Sequence, residues 1–213
     1  MSKISLKHSG GNVVSLNSPT SAPSSADVAF KLTNADGTNG QVLKTDGSGN
    51  LSFGADTGGK ILQVIQTVKT DTASLGSVDT FTDISGMSVT ITPSSSSSKV
   101  LVTVVMNVSG GDNQAVAWRL LRGSTPIYIG DADGNRIRVA ASVRVATNGD
   151  AEMVNCSAVF LDSPNTTSAT TYKIDWARPF ASSQIYLNRP SEDYDNNDRA
   201  RAPSSILVQE VAA

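Results

Sequence analysis

Thiols, imidazoles and aromatic rings are scarce in this chain, and each scarcity removes a class of function. Among 213 residues there is one cysteine, Cys156, and one histidine, His8. A single cysteine excludes an intrachain disulfide and any zinc site built from several thiolates. A Ser–His–Asp or Cys–His mechanism would have to use His8, which sits in a polar leader. No G-x-S-x-G, H-E-x-x-H or phosphate-loop pattern accompanies it, and no cofactor is expected. Charge is also thin: 17 Lys and Arg against 19 Asp and Glu leave a net charge of −2. With the basic residues scattered, there is no field to hold nucleic acid or an anionic membrane. No apolar run approaches the roughly 18 residues that cross a bilayer. The opening MSKISLKHSGG lacks the apolar stretch of a secretory signal. The expectation is a protein made in a cytoplasm, without membrane insertion.

What is abundant is Ser, Thr, Asn and Gly, residues suited to turns and to the wet faces of strands. Composition changes near residues 54–60 (GADTGGK), which predicts an N-terminal segment, 1–57, and a larger domain, 58–213. The first segment is polar and dense in turn dipeptides: Asp36-Gly37, Asn39-Gly40 and Asp46-Gly47. Short apolar pieces at Val13–Leu16, Val28–Leu32 and Gln41–Leu43 read as strands between those turns. Such a segment cannot offset its own chain entropy, so it needs neighbours.

From Lys60 onward β-branched and aromatic runs alternate with turn clusters. Strands are expected at 61–69, 88–92, 99–109, 115–123, 137–147, 151–162, 169–177, 184–188 and 204–212. No stretch sustains a 3.6-residue period, so helix should be nearly absent. This pattern predicts an all-β fold, an antiparallel jelly-roll sandwich preceded by a short-stranded, turn-rich anchoring segment. An immunoglobulin-type sandwich is less suited, because the Cys–Trp–Cys framework is missing.

Strand faces bear on assembly. The run 137–147 alternates cleanly, with Arg138, Ser142 and Arg144 on a wet side. The run 99–109 instead carries Val100, Val102, Val104, Met106 and Val108 on one face and Leu101 and Val105 on the other. In 61–68, Ile61 and Ile65 share one face, and Leu62, Val64 and Val68 share the opposite one. A sandwich has a single core, so two-sided strands need a second neighbour, which a closed homo-oligomer supplies. Ile61, Leu62, Val64, Leu101 and Val105 are the candidate interface.

Acidic clusters offer the candidate binding chemistry. Asp131-Ala-Asp133-Gly-Asn135 and Asp46-Gly-Ser48-Gly-Asn50 open like calcium loops, but positions 142 and 57 lack the closing acid. Asx-rich hairpin turns account for both, and no metal is expected. Cys156, on a strand with Val154, Ala158 and Phe160, reads as a small buried hydrophobe. The longest segment without strand pattern in the larger domain lies between Asn188 and Pro203. Loops of that length in a compact domain are functional or disordered. Asp193, Tyr194, Asp195, Asn196, Asn197 and Arg199, with Arg201 beside them, are the candidate receptor-binding residues. An aromatic platform with Asx and Arg groups binds sugars through stacking and bidentate hydrogen bonds. The alternative is a solvated loop. Asp193 and Asp195 as the paired carboxylates of a polysaccharide depolymerase are a weaker reading, because such enzymes use longer scaffolds.

The phrase DGTNGQVLKTDGSGNLSFG (Asp36–Gly54) resembles a segment of fibre and appendage proteins of short-tailed phages, especially those of marine bacteria and cyanobacteria. The order that follows, GGKILQVIQTVKTD, then SSSSKVLVTVVMNVSG and a closing SSILVQEVA, is similar to the tumour-necrosis-factor-like jelly rolls ending such fibres. The resemblance implies a homotrimeric virion appendage. Its residues 1–57 would dock to tail or capsid proteins, and its jelly roll would meet the host surface, with a glycan as one receptor class. A head fibre or capsid decoration subunit is the alternative placement. A cellular ligand of the tumour-necrosis-factor type fits poorly, since no signal or anchor is apparent.

Overall fold

A computed structural model describes all residues except 1–2, 8, 11–12, 18–30, 32, 34–35, 49, 57–60, 77–79, 112–113, 146–151 and 180–183. His8 and most of the expected strand at 28–32 fall outside the described residues. Two compact units, Met1–Gly58 and Gly59–Ala213, divide the chain.

The smaller unit contains two antiparallel hairpins, β1 (Lys3–Lys7) with β2 (Val13–Asn17), and β3 (Gln41–Thr45) with β4 (Leu51–Ala55). Asp46 closes the second hairpin: its Oδ1 accepts from the amides of Ser48 (2.8 Å) and Asn50 (3.1 Å). Those bonds, with the Asn50 side-chain amide foremost, hold its carboxyl below the usual carboxylate range. The calcium-like spacing there is an Asx turn. Gly47 takes φ +79°, a conformation that favours glycine.

The larger unit begins with β5 (Ile61–Lys69), β6 (Ala73–Leu75), β7 (Thr82–Ile91), β8 (Lys99–Val105) and β9 (Asn107–Gly110). It continues with β10 (Ala115–Arg122), β11 (Thr125–Ile127), β12 (Ala141–Arg144), β13 (Val154–Asn155) and β14 (Ala158–Asp162). It ends with β15 (Thr170–Ala177), β16 (Ile185–Leu187) and β17 (Ser204–Val211). Every pairing between these strands is antiparallel, and no helix occurs among the described residues.

One layer is the sheet β11-β10-β15-β7, with β12 also on β10. The other is formed by β14-β8-β17-β5 and its continuation β13-β9-β16-β6. Only Met106 separates β8 from β9, so the two four-stranded sheets run on from one another. Counted as ribbons, the first (β5–β6) pairs with the last (β16–β17), and the second (β7) with the seventh (β15). The third (β8–β9) pairs with the sixth (β13–β14), and the fourth (β10) with the fifth (β11 and β12 together).

The alternation expected of β8 is present: Val100, Val102, Val104, Met106 and Val108 are fully buried, facing Trp118, Leu120, Tyr172 and Ile174 in one core cluster. Three sequence expectations need correction. Strand β7 begins six residues early because its pattern changes phase. Ile84 and Met87 both face the core, Gly86 takes φ +83°, and Ile84 to Met87 lie opposite Ile174 alone. A bulge of this kind hides a strand from any period-2 reading. Conversely, residues 137–140 of the expected strand stay outside β12, since β11 already occupies the β10 edge at Leu120–Arg122 and leaves only Ala115–Trp118. Residues 131–138 are all exposed, with the Asp133 carboxylate engaged by Arg136. In β5, Ile65 packs toward the core whereas Ile61 is 56 % exposed. The register slips between Glu210 and Val211, so the two isoleucines do not share a face.

Two buried polar clusters tie the sheets together. Asp162 on β14 accepts both contacts of the Arg122 guanidinium (2.9 and 3.0 Å) and the Tyr172 hydroxyl (2.6 Å) from the opposite sheet. Burial, reinforced by that acceptor, pushes the Tyr172 hydroxyl well above the usual phenol range. The Trp118 indole N–H donates to the Cys156 carbonyl (3.1 Å) and approaches its Sγ (3.3 Å), and burial raises the thiol pKa.

Candidate functional site

Two surfaces of the larger unit stand out. The first is the outward face of β14-β8-β17-β5. Alternation that sends Val100, Val102, Val104, Ile206 and Val208 inward sends the intervening residues outward. Val159 and Leu161 from β14 and Leu62, Val64 and Val68 from β5 are 43–57 % exposed. Leu101, Val105, Leu207 and Val211 lie between them, half-buried. Thr103, Gln66, Ser205 and Gln209 fill the remaining positions, and Lys99 alone carries a charge, at the end where its Nζ donates to Ser163 (2.7 Å). Covering a half-exposed Val or Leu is worth roughly 1 kcal/mol, so five such residues amount to several kcal/mol per subunit. Absence of charge at the centre of an apolar face is an interface signature.

All five candidate interface residues map to this surface or its end: Leu62, Val64, Leu101 and Val105 on the face, Ile61 at the slipped register beside Val211. Sequence reading missed Val159, Leu161, Leu207 and Val211. Their alternation with Phe160, Ile206 and Val208 carried the same two-sided signal as β8.

The second surface is the segment 189–203. Along the β8–β9 line, Leu187 faces Val108 and Ser205 faces Val105, so β16 and β17 lie along one strand line. The chain therefore leaves that line at Asn188 and rejoins it at Ser204. A buried knot closes the gap. The Ser204 hydroxyl donates to Asn188 Oδ1 (2.6 Å) and accepts from the Asn107 amide (3.0 Å). Asn188 Nδ2 donates to the carbonyls of Lys69 (2.8 Å) and Asp71 (2.9 Å). Asn188 is fully buried at φ +64°, a conformation asparagine tolerates better than most residues. On either side, Asn107 Nδ2 donates to the Pro203 carbonyl (2.7 Å), and Ser109 Oγ to that of Arg189 (2.6 Å).

Above this stem the loop folds on its own charges. The Asp193 carboxylate is gripped by Arg189 (3.3 Å) and, through both oxygens, by Arg201. Arg199 pairs with Asp198 (3.1 Å) and Glu192 (3.7 Å) and lies 6.0 Å from the Tyr194 ring centre. An open cleft of about 330 Å³ results, lined by Asp193, Tyr194, Asp195, Asn196, Arg199 and Arg201. Five of the six candidate receptor-binding residues thus meet in one place, and Asn197 is exposed outside the lining. The arginines, expected to be available for bidentate recognition, are instead held by carboxylates. No group of acidic, His or Cys residues among those described has the arrangement of a metal site.

Comparison with protein-family models and with curated proteins gives no match to this chain.

Proposed function

We propose that the chain is a structural subunit of a phage particle, a short fibre-like appendage that assembles as a homotrimer and attaches the particle to its bacterial host. The observation that carries this reading is the uncovered, nearly uncharged apolar face of β14-β8-β17-β5. Such a face meets its own copy without like-charge repulsion, and a closed ring of copies leaves none of it in water. Three copies rather than two follows from the resemblance of Asp36–Gly54 and the strand order after it to trimeric phage appendages. First-to-last, second-to-seventh ribbon pairing supports a jelly roll for the larger unit.

The smaller unit supports a docking role in the virion. In the hairpin β3–β4, Val42, Leu43 and Phe53 are 40–53 % exposed. A two-stranded hairpin is marginal alone, so these side chains suit a partner surface. Binding rather than catalysis is favoured in the larger unit, because Asp193 is neutralised by two guanidiniums and has no unpaired carboxylate oxygen for acid–base work.

Sedimentation of the full chain tests the reading. The wild type should run at three times its monomer mass, and Val64→Glu with Val159→Glu should run as a folded monomer. A wild-type monomer at micromolar concentration sinks it. Immunogold labelling of particles then separates the placements: label on the tail supports attachment, and label over the capsid indicates a decoration subunit.

A further inference from the structure

The geometry points to residues 189–203 as a self-supporting recognition module, inserted into a single strand line of the sandwich, whose cleft takes a neutral, hydroxyl-rich saccharide. It deepens the attachment role proposed above by naming the ligand class.

The insertion rests on register. Leu187 and Ser205 continue one strand against β9 and β8, and everything between them is an excursion. Both ends are held by groups of the sandwich: Asn107 and Ser109 from β9, and the Lys69 and Asp71 carbonyls through Asn188. No residue from 191 to 201 belongs to the core cluster. The loop is organised by its own ion pairs, Asp193 with Arg189 and Arg201, and Arg199 with Glu192 and Asp198, so its tip can vary while the stem stays.

The ligand class rests on the lining. Two carboxylates, Asp193 and Asp195, stand against two guanidiniums, Arg199 and Arg201, so the cleft offers no net charge to an ion. An anion seeking Arg201 must displace Asp193, and one seeking Arg199 must displace Glu192 or Asp198. No aliphatic side chain lines the cleft, which removes the driving force for an apolar ligand. What remains is the Tyr194 ring, 64 % exposed, beside the Asp195 carboxylate and the Asn196 amide. A ring face for the C–H side of a sugar, with acceptor and donor groups beside it, matches a pyranose. Repetition on each subunit raises the avidity of a weak site.

The test is an array of neutral and acidic oligosaccharides probed with the full-length chain, its Tyr194→Ala variant, and a variant with 190–202 replaced by a Gly-Ser turn. Neutral saccharides should bind. Binding should fall at least ten-fold in Tyr194→Ala and vanish in the loop replacement, with melting temperature and sedimentation unchanged in both. Binding confined to acidic glycans, no binding at all, or full binding by Tyr194→Ala overturns the ligand assignment. Unfolding of the loop replacement overturns the module. Sedimentation of the same wild-type sample keeps the two proposals apart: a monomer that binds neutral sugar ends the trimer reading and leaves this one standing.

Discussion

The two outward faces of the sandwich are built on opposite plans. On the β10-β15-β7 side, charges cross from strand to strand: Arg119 pairs with Asp175, and Lys173 with Asp83 (2.6 Å). The Arg119 guanidinium also lies 3.7 Å above the Phe81 ring, and the hydroxyls of Thr90 and Thr171 meet at 2.8 Å. On the β14-β8-β17-β5 side the same positions hold Val, Leu, Thr and Gln. Strand geometry is common to both, so the contrast lies in side-chain chemistry alone. One face carries its own charge pairs and, at Ala117, Leu121, Asp175 and Ala177, is covered by its own chain. The other leaves apolar side chains half exposed.

The largest effect expected from probing that contrast is on the strand both surfaces of the sheet share. Ile206 points inward and is fully buried, whereas its neighbour Leu207 points outward. Ile206→Ala should cost roughly 2–5 kcal/mol of folding stability by denaturant titration. Leu207→Ala should leave the unfolding of an isolated subunit nearly unchanged and weaken assembly measured by sedimentation. Equal effects on folding from both would show the outward face to be covered within the subunit.

Next in size is the polar staple between sheets. Asp162→Ala strands the Tyr172 hydroxyl in the core and removes the carboxylate partner of Arg122, which keeps the Ser163 carbonyl. A loss of about 2–3 kcal/mol is expected, after discounting the Arg122 contact because that side chain is 34 % exposed. Tyr172→Phe, which removes only the donor, should cost about half as much.

A pH dependence follows from Glu210, which is fully buried at the end of β17. Burial pushes its carboxyl up, but bonds from the Ser94 hydroxyl and amide (2.7 Å each) and from Gln63 Nε2 (2.6 Å) outweigh it and hold the pKa below the usual value. A folded-state pKa below the unfolded one adds stability above about pH 4.3, and that stability is lost as pH falls through the folded value. Glu210→Gln should therefore melt below wild type at pH 7 and converge with it as pH falls through the folded value. Convergence failing to appear would place the acid sensitivity elsewhere. The smallest effect belongs to the charge-paired face: Asp83→Asn, in an exposed pair with Lys173, should shift stability by under about 1 kcal/mol.

Much of this is legible from residue order. Alternation in 99–109 is enough to locate the core face and the outward leucine and valine, because the period of a strand is strictly two. The same logic fails where a bulge changes phase, at Ser85–Gly86, and where neighbouring strands compete for one edge, at β11 and β12. Both are properties of pairing, which a single strand's sequence does not record. The candidate loop is legible by length and composition. Its closure is not, since it depends on Asn188 and Ser204 falling beside each other on one strand line, sixteen residues apart in sequence. Nor is the capture of Arg201 by Asp193 readable, because spacing of eight implies no contact in a loop.

Placement of the lone thiol has an experimental use. Cys156 is 7 % exposed, capped by the Trp118 indole, with its amide bonded to the Met106 carbonyl (2.8 Å). A maleimide or disulfide reagent should reach that sulfur slowly until the sandwich opens around it. Labelling rates on native material thus act as a built-in clock for opening, with no engineered probe and no second cysteine to blur the reading.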